Sequence, residues 1–330
     1  MKATFRGATT IIAWKKLSVR SELLSKALGA QLWFFPDNIP YVRAFFNTLR
    51  NVVNKKPKII IVQLPQGPLL LEALFLKMLM KQKIVADVHT GFLITTEWKG
   101  LLLNVPFLKF LRAADLIIAH NEFQLNLVPS ELRDKTLVVL EPWHLIIDNK
   151  GKNKSEQGGY IVFPASFSSD EPLEEVINSI NSFNIDVKMY ITGNWKRQSK
   201  IMKYASEHII FTGYLQSGEY NKLLSKATAI ITGTKREYTS LMSGSEALAY
   251  AKPLALTETG TLKSLYKDYA VFYDWKNSKS IAEAIKEILI SKPNMAAREK
   301  LRLRTLGSLE MLNNKLEELD CSSSSVKYAS

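Results

Sequence analysis

Short apolar runs rich in β-branched residues alternate with amphipathic segments along nearly the whole chain, and this pattern constrains the fold most. In the first half, apolar runs lie at 30–35, 59–62, 84–86, 116–119 and 137–140. Segments with helical spacing lie between them at 19–28, 41–53, 69–80, 101–111 and 122–127. Continuous apolar runs are typical of buried strands, and strictly alternating strands and helices predict a parallel sheet covered by helices.

The same alternation restarts after residues 148–159, DNKGKNKSEQGG, a polar stretch with the composition of a linker. Strands are predicted at 160–163, 187–191, 208–211, 229–231, 254–256 and 270–272. Helices are predicted at 173–180, 198–205, 220–227 and 246–251, with two closing helices at 281–290 and 297–319. At 330 residues the chain is long enough for two hydrophobic cores.

These patterns predict an α/β protein with two Rossmann-like parallel-sheet domains that face each other across a cleft. We expect an N-terminal domain at 1–150, a C-terminal domain at 151–320 whose last helix could pack back on the first domain, and a flexible tail at 321–330. In such sheets, ligands bind at the carboxyl ends of the strands. Functional residues are therefore sought directly after each predicted strand.

Charge and cysteine content indicate which classes of ligand the protein could bind and in which cellular compartment it is expected. The net charge is +13, and residues 1–150 hold 20 basic against 11 acidic residues, or +9. Such a field attracts nucleic acids, anionic lipid head groups or phosphorylated small molecules. Cys321 is the only cysteine, and no secretory signal precedes the first strand, so we expect a cytoplasmic protein.

The segment at 230–259 predicts an anion site. An apolar strand leads through a polar loop to Ser243, Gly244 and Ser245 and then to an alanine-rich helix. If Ser245 caps this helix, its free amides and its dipole could hold a diphosphate, with charge supplied by Lys235 and Arg236. Glu246 would lie in the first turn, where it could accept hydrogen bonds from ribose hydroxyls or simply favour the helix start.

The run Glu246-Ala247-Leu248-Ala249, followed by Lys252-Pro253-Leu254, resembles the donor-binding region of GT-B glycosyltransferases, especially the family 4 (group 1) retaining type. Residues 190–194 and 210–215 agree in order, and the resemblance covers roughly 160–274. It implies the GT-B fold and the transfer of a sugar from a UDP- or GDP-linked donor to a glycan or lipid-linked acceptor in surface polysaccharide or glycoconjugate synthesis. No other cofactor is implied.

The resemblance also assigns roles to single residues. Glu246 would contact the donor ribose and Glu237 the donor sugar, although eight residues separate them where the family has seven, which puts Tyr238 in register. Gly193 and Asn194 match the strand-to-loop turn of the family. Lys196 and Arg197 would lie against the diphosphate; a lysine–arginine pair at a helix start is otherwise a solvated surface.

In the first half, Asp87, His89, Thr90 and Gly91 follow the strand at 84–86 and should face the acceptor side of the cleft. The resemblance places a histidine or an acid there. In an inverting reaction Asp87 would be the general base, whereas in a retaining reaction His89 would orient the sugar. Alternatively, Asp87 only caps the Thr90-Gly91 turn.

Further candidates come from the remaining loops. Arg6 and Gly7, with Thr9 and Thr10, are expected to form a loop after a first strand near residue 5, which could touch the diphosphate or the acceptor. The four histidines lack the regular spacing of zinc ligands, and no Asp-x-Asp ends a strand, so we predict metal independence.

Basic amphipathic stretches at 69–83 and 92–112 suit either an anionic membrane surface or helices that pack on a sheet. With the resemblance, they favour a membrane-held acceptor and a peripheral position on the inner face of the membrane. A nucleotide-sugar epimerase of the same fold is an alternative. A nucleic-acid-binding protein is disfavoured because only the charge supports it.

Overall fold

The computed structural model describes residues 8–36, 38–94, 98–147 and 159–325. Contacts divide the chain into two compact units: Met1–Leu145 with Arg304–Ser330, and Ile146–Leu303. Residues 148–158 of the predicted linker lie outside the described ranges, as do Arg6 and Gly7. The two parallel six-stranded sheets confirm the predicted α/β class with two Rossmann-like domains.

The first unit contains a sheet with the strand order β2-β1-β3-β4-β5-β6. Its strands are β1 (Thr9–Lys15), β2 (Gln31–Pro36), β3 (Ile59–Leu64), β4 (Lys83–Val88), β5 (Leu116–Ala119) and β6 (Thr136–Val138). Its helices are α1 (Val19–Leu28), α2 (Tyr41–Lys55), α3 (Gly67–Met80), α4 (Thr90–Leu93) and α5 (Trp98–Leu103). Short 3₁₀ segments follow at Val105–Ala113, Glu122–Leu127, Ser130–Lys135 and Trp143–Leu145.

Two apolar cores cover the faces of this sheet. On one face, α2 and α3 contribute Ala44, Val52, Leu69 and Leu76 to a core that includes Ile60 of β3. On the other face, Leu24 and Leu28 of α1 lie with Leu309, Leu312 and Leu316 of the last helix against residues such as Ile61. The sheet is therefore buried on both sides, as its continuous apolar strands require.

The second unit repeats the architecture with the strand order β12-β11-β10-β7-β8-β9. Its strands are β7 (Tyr160–Pro164), β8 (Lys188–Thr192), β9 (Ile209–Gly213), β10 (Ala229–Thr232), β11 (Leu254–Thr257) and β12 (Ala270–Tyr273). Its helices are α6 (Leu173–Ser182), α7 (Ser217–Lys226), α8 (Met242–Tyr250), α9 (Gly260–Tyr266) and α10 (Ser278–Ile290), with a 3₁₀ segment at Trp195–Tyr204. Helix α11 (Met295–Ser325) begins in this unit and continues five residues into the predicted tail.

The structure corrects the sequence prediction at the amino end. Thr9 and Thr10 are buried in β1, between β2 and β3, and not in a flexible loop. The reason is that threonine is β-branched and packs well in a strand, so the pair extends the apolar run that follows it. Helix α9 was missed altogether, because its seven residues carry little helical periodicity.

Candidate functional site

The loops after β7 and β10 meet where the strand order of the second sheet reverses. Strands β7 to β9 extend to one side of this point and β10 to β12 to the other. The Thr234 hydroxyl donates to an Asp170 carboxylate oxygen at 2.5 Å, and the Lys235 amide donates to the Asp170 carbonyl at 2.7 Å. Such a reversal leaves a crevice at the carboxyl ends of the strands, where doubly wound proteins bind ligands.

Gly193 brings the loops after β7, β8 and β9 together. Its amide donates to the Gly213 carbonyl at 3.0 Å, and its φ is +104°. A Cβ at this position would lie 2.0 Å from the Ala165 carbonyl oxygen. Only glycine fits both the backbone conformation and the close approach. Asn194 follows at once, and its side chain accepts a hydrogen bond from the Lys196 amide at 3.2 Å.

Helix α8 begins four residues earlier than predicted. Its N-cap is Leu241, in an extended conformation, so Ser243, Gly244 and Ser245 lie inside the helix and Ser245 does not cap it. The Leu241 carbonyl accepts the amides of Gly244 and Ser245. The Ser243 hydroxyl pairs with Thr232 at 2.9 Å, which satisfies it in its buried position, and Ser245 is buried as well.

This shift moves the expected anion site without removing it. The first amides of a helix have no partner within it, so the free donors of α8 are those of Met242 and Ser243. Gly244 lets Tyr266 of α9 approach, since a Cβ there would lie 2.6 Å from the Tyr266 hydroxyl. Glu246 is the fifth residue of α8, and the prediction that it lies in the first turn is wrong.

Glu246 is held by a tyrosine of the neighbouring helix. The Tyr220 hydroxyl on α7 donates to Glu246 Oε2 at 2.6 Å. Burial raises the pKa of Glu246 to about 7, and the hydrogen bond from Tyr220 works against that rise. Burial and the adjacent carboxylate also raise the pKa of Tyr220 well above its usual value. Tyr220 is therefore the proton donor of the pair near neutral pH.

Glu237 caps the start of α9. Its Oε1 accepts from the Thr261 amide at 2.7 Å and from the Thr261 hydroxyl, while its Oε2 accepts from the Gly260 amide at 3.0 Å. Burial opposes ionisation of Glu237, but these bonds outweigh it and lower the pKa of the carboxyl. The carboxylate stays ionised, and Oε2 keeps a lone pair for one further donor.

The four candidate cations differ in their surroundings. Lys235 Nζ lies 2.6 Å from Glu175 and over the ring of Trp275, and Arg236 lies 3.6 Å from Asp170. These two positive charges are therefore partly neutralised by acids. Lys196 and Arg197 are exposed at the start of the 3₁₀ segment after β8, where Arg197 donates to the Ser166 carbonyl at 3.3 Å.

In the first unit, Asp87 lies at the carboxyl end of β4 in a buried polar cluster. Its Oδ1 accepts from Arg20 Nε at 3.3 Å and lies 3.1 Å from His120 Nε2. Arg20 is itself 3.4 Å from Glu141. Burial opposes the ionisation of Asp87, yet Arg20 and His120 outweigh it and hold the pKa of this carboxyl well below its usual range.

His89 is the more accessible member of this cluster. Its side chain is 24% exposed, whereas that of Asp87 is 1% exposed. Burial, together with the positive charge around it, lowers the pKa of His89 to about 3, so the imidazole is neutral at physiological pH. Thr90 and Gly91 form the first residues of the short helix α4, and Asn104 donates to the Gly91 carbonyl.

The fold assembles a possible ligand set that sequence spacing did not reveal. One atom each from Asp87, His89 and His120 lie within 4.8 Å of one another, which is close enough for a metal ion. The guanidinium of Arg20 lies beside the same carboxylate and places a fixed positive charge there. That charge disfavours a divalent cation by electrostatic repulsion.

Several residues of these clusters carried no recognisable signal in the sequence. Arg20 in α1 and Tyr220 in α7 both lie in ordinary amphipathic helices, and Asp170 lies in a polar loop. Their partners are 67, 26 and 64 residues away along the chain. Such pairings become visible only when the sheet topology brings the strand ends together.

Comparison with known proteins agrees with this architecture. Residues 146–304 match the family model described as glycosyl transferases group 1. A crystal structure of Anabaena Alr3699/HepE in complex with UDP is similar, with a TM-score of 0.67, 11% identity, and coverage of 95% of this chain and 99% of that chain. No curated protein matches the chain.

Two other solved structures have the same fold. The lipopolysaccharide outer core galactosyltransferase WaaB, in its apo form, gives a TM-score of 0.63 at 11% identity, covering 94% of this chain and 99% of that chain. The sucrose-phosphate synthase of Thermosynechococcus elongatus gives 0.62 at 12% identity, covering 97% and 98%. The chain therefore has the GT-B fold of these solved structures, and its residues 146–304 match the glycosyl transferases group 1 family model.

Proposed function

We propose that this protein is a glycosyltransferase that moves a hexose from a UDP- or GDP-linked donor to a glycan or a lipid-linked sugar. The observation that carries the proposal is the Glu246–Tyr220 pair beside the start of α8, at the carboxyl ends of the second sheet. The similar Anabaena protein is described in complexes with UDP and with UDP-glucose, which supports a uridine donor. The second unit would hold the nucleotide sugar and the first unit the acceptor.

The proposed donor site combines a ribose contact with a diphosphate contact. Glu246 accepts hydrogen bonds from the ribose hydroxyls, while the amides of Met242 and Ser243 donate to the diphosphate with help from the helix dipole. Gly193 and Asn194 form the adjacent wall. Of the cations, Lys196 and Arg197 are the better candidates for the diphosphate, because Lys235 and Arg236 already face acids.

Glu237 would contribute in two ways. Its capping of α9 fixes the loop between β10 and α8, and the remaining lone pair of Oε2 can accept from a hydroxyl of the donor sugar. Ser243, Gly244 and Ser245 support the site by packing, since Ser243 pairs with Thr232 and Gly244 admits Tyr266.

On the acceptor side, the geometry favours His89 over Asp87 for direct contact. A general base must reach the hydroxyl and bind its proton. Asp87 is buried, and Arg20 and His120 keep its pKa low, so it is a weak base. We therefore assign Asp87 the positioning of His89 and His120, and assign sugar contact to His89 with Thr90 and Gly91 beside it.

We also propose that the transfer needs no metal. Cationic side chains at the diphosphate would offset the charge that develops on the leaving nucleotide. Dialysis against EDTA should then leave the rate unchanged. A loss of activity that Zn²⁺ restores would instead assign a metal to Asp87, His89 and His120.

The acceptor is proposed to belong to surface polysaccharide or glycoconjugate synthesis, with the enzyme acting at the inner face of the membrane. The basic, apolar segments of the first unit support this view. Turnover of the nucleotide sugar in the absence of any acceptor, with change of the sugar configuration, would point instead to an epimerase.

A thermal-shift screen over nucleoside diphosphates tests the donor site. A ligand at about 100 times its dissociation constant stabilises by about 2.7 kcal/mol. We expect UDP or GDP to raise the Tm of the wild type, and Glu246→Ala to abolish the shift. Glu287→Ala, on the exposed side of α10, is the matched control and should retain it. An equal shift in Glu246→Ala would remove the role of Glu246.

A further inference from the structure

The outer side of α3 exposes large apolar side chains. Leu71, Phe75, Met78 and Leu79 recur at the spacing of one helix face, and Met78 is 83% exposed. The opposite side of α3 is buried through Leu69, Leu70, Ala73 and Leu76. Helix α3 is therefore apolar on both sides, although only one side lies against the sheet.

The neighbours of α3 continue this surface. Helix α2 packs beside α3, buries Ala44 and Val52 in the same core, and exposes Val42, Phe46 and Val53. The segment Val105–Ala113 packs on the other flank of α3 and, with α5, exposes Leu101, Leu102 and Val105. All three elements cover one face of the sheet. We call their exposed apolar residues the outer apolar face: Val42, Phe46, Val53, Leu71, Phe75, Met78, Leu79, Leu101, Leu102 and Val105.

The charge on the elements that carry the outer apolar face is predominantly basic. Between residues 41 and 113 the sequence holds eleven basic residues and only three acidic ones, Glu72, Asp87 and Glu97. Glu72 and Asp87 are buried, so none of the described residues of this stretch exposes an acid. Exposed cations of this stretch include Arg43, Arg50, Lys55, Lys56, Lys81 and Lys109, whereas the exposed Arg112 lies 3.8 Å from the exposed Glu131.

We infer that the outer apolar face docks on an anionic phospholipid bilayer, lying at its surface. Apolar side chains flanked by lysine and arginine match the boundary between acyl chains and acidic head groups. None of the described helices is long and apolar enough to cross a membrane. A second copy of the chain would bring like charges together, and a nucleic acid would not bury the apolar side chains.

Exposed apolar residues elsewhere differ in their surroundings. Ile290 of α10 and Met311 of α11 are each close in sequence to acids, Glu287 and Glu310. They serve as matched controls, because they are as exposed as the residues of the outer apolar face. Docking on a membrane would bring the enzyme to a membrane-held acceptor. Only this purpose, and not the docking itself, rests on the proposed function.

Vesicle flotation with the full chain tests the inference. We expect the protein to float with vesicles of phosphatidylcholine and phosphatidylglycerol, and about tenfold more weakly with phosphatidylcholine alone. The combined variant Phe75→Ser, Met78→Ser and Leu79→Ser should lose about tenfold or more of this binding. The control Ile290→Ser and Met311→Ser should bind as the wild type does.

A variant with fewer positive charges tests the same inference in a second way. Arg43→Gln, Arg50→Gln and Lys81→Gln together should weaken binding to the anionic vesicles, whereas Lys222→Gln, Lys279→Gln and Lys286→Gln in the second unit should not. Absence of flotation, or equal flotation of the serine variant, would overturn the inference. So would a dimer in sedimentation that the same serine substitutions dissociate, because the face would then bind a second copy.

The thermal shift with UDP separates this inference from the proposed function. Both vesicle-binding variants should keep the full UDP shift of the wild type, since none of their substitutions lies in the second sheet. Loss of the shift in the serine variant would mean misfolding, and the charge variant then decides the question. A protein that binds vesicles but no nucleoside diphosphate would leave the docking surface in place and refute the donor site.

Discussion

Nucleoside diphosphate binding should depend on pH near neutrality because Glu246 titrates there. Burial raises the pKa of this carboxyl to about 7 in the ligand-free protein. Only the ionised form accepts strong hydrogen bonds from both ribose hydroxyls. Glu246 gains a proton as the pH falls through its raised pKa. Binding of UDP should therefore be strong above pH 7 and weaken below it.

The size of the effect follows from the ionised fraction. With a pKa of about 7, about nine-tenths of Glu246 is ionised at pH 8 and about one-tenth at pH 6. The dissociation constant for UDP should therefore rise about tenfold from pH 8 to pH 6, which corresponds to about 1.4 kcal/mol of binding free energy. Tyr220 opposes the raised pKa, so Tyr220→Phe should move the midpoint of this dependence to higher pH.

Isothermal titration calorimetry from pH 5.5 to 8.5 measures this dependence. Glu246→Gln is the matched control, because it keeps the size of the side chain and cannot ionise. The phosphates of UDP titrate equally in both proteins, so the difference between the two curves isolates Glu246. A wild-type curve parallel to that of Glu246→Gln would refute the assigned ribose contact. An unchanged midpoint in Tyr220→Phe would refute the influence of Tyr220.

Three further substitutions test the structural reasoning by chemical denaturation. Gly193→Ala should destabilise the protein by more than about 2 kcal/mol, because a Cβ would meet the Ala165 carbonyl and φ is positive, whereas Gly218→Ala, with open space around it, should not. Arg20→Met should cost about 3–5 kcal/mol, since it leaves Asp87 as a buried charge without its main partner; a cost below about 1 kcal/mol would contradict the buried ion pair. Burial raises the pKa of Glu72 to about 9 from 4.5, so the folded protein loses stability as pH rises between these values. Glu72→Gln removes this pH-dependent loss, so its free energy of unfolding should increase relative to that of the wild type from pH 5 to pH 9. A difference that stays constant with pH would contradict the raised pKa.

The sequence predicts the repeated strand–helix order well because burial on both faces leaves continuous apolar runs. Strand β5 and helix α1 have the predicted bounds, and Gly29 ends α1 in the left-handed conformation that glycine favours at such ends. The pattern fails where polar residues belong to a regular element. Thr9 and Thr10 start β1, where their β-branched side chains pack in the sheet, and Ser243 to Ser245 lie inside α8, where the Ser243 hydroxyl pairs with Thr232.

The candidate site was predictable only as a set of strand ends. Order along the chain locates Asp87, Gly193 and Glu246 near such ends, but it does not reveal their partners. Arg20 reaches Asp87 from a helix on one face of the sheet, and Tyr220 reaches Glu246 from a neighbouring helix. These contacts set the charge of each carboxyl, and they depend on helix packing that local sequence does not encode.

A crystal structure of the protein with UDP tests the central claim most directly. We predict that the ribose hydroxyls lie within about 3 Å of the Glu246 carboxylate. The diphosphate should face the amides of Met242 and Ser243, with Lys196 or Arg197 turned towards it. Electron density for the nucleotide at any other place on the chain, or a Glu246 still bonded to Tyr220 alone, would contradict it.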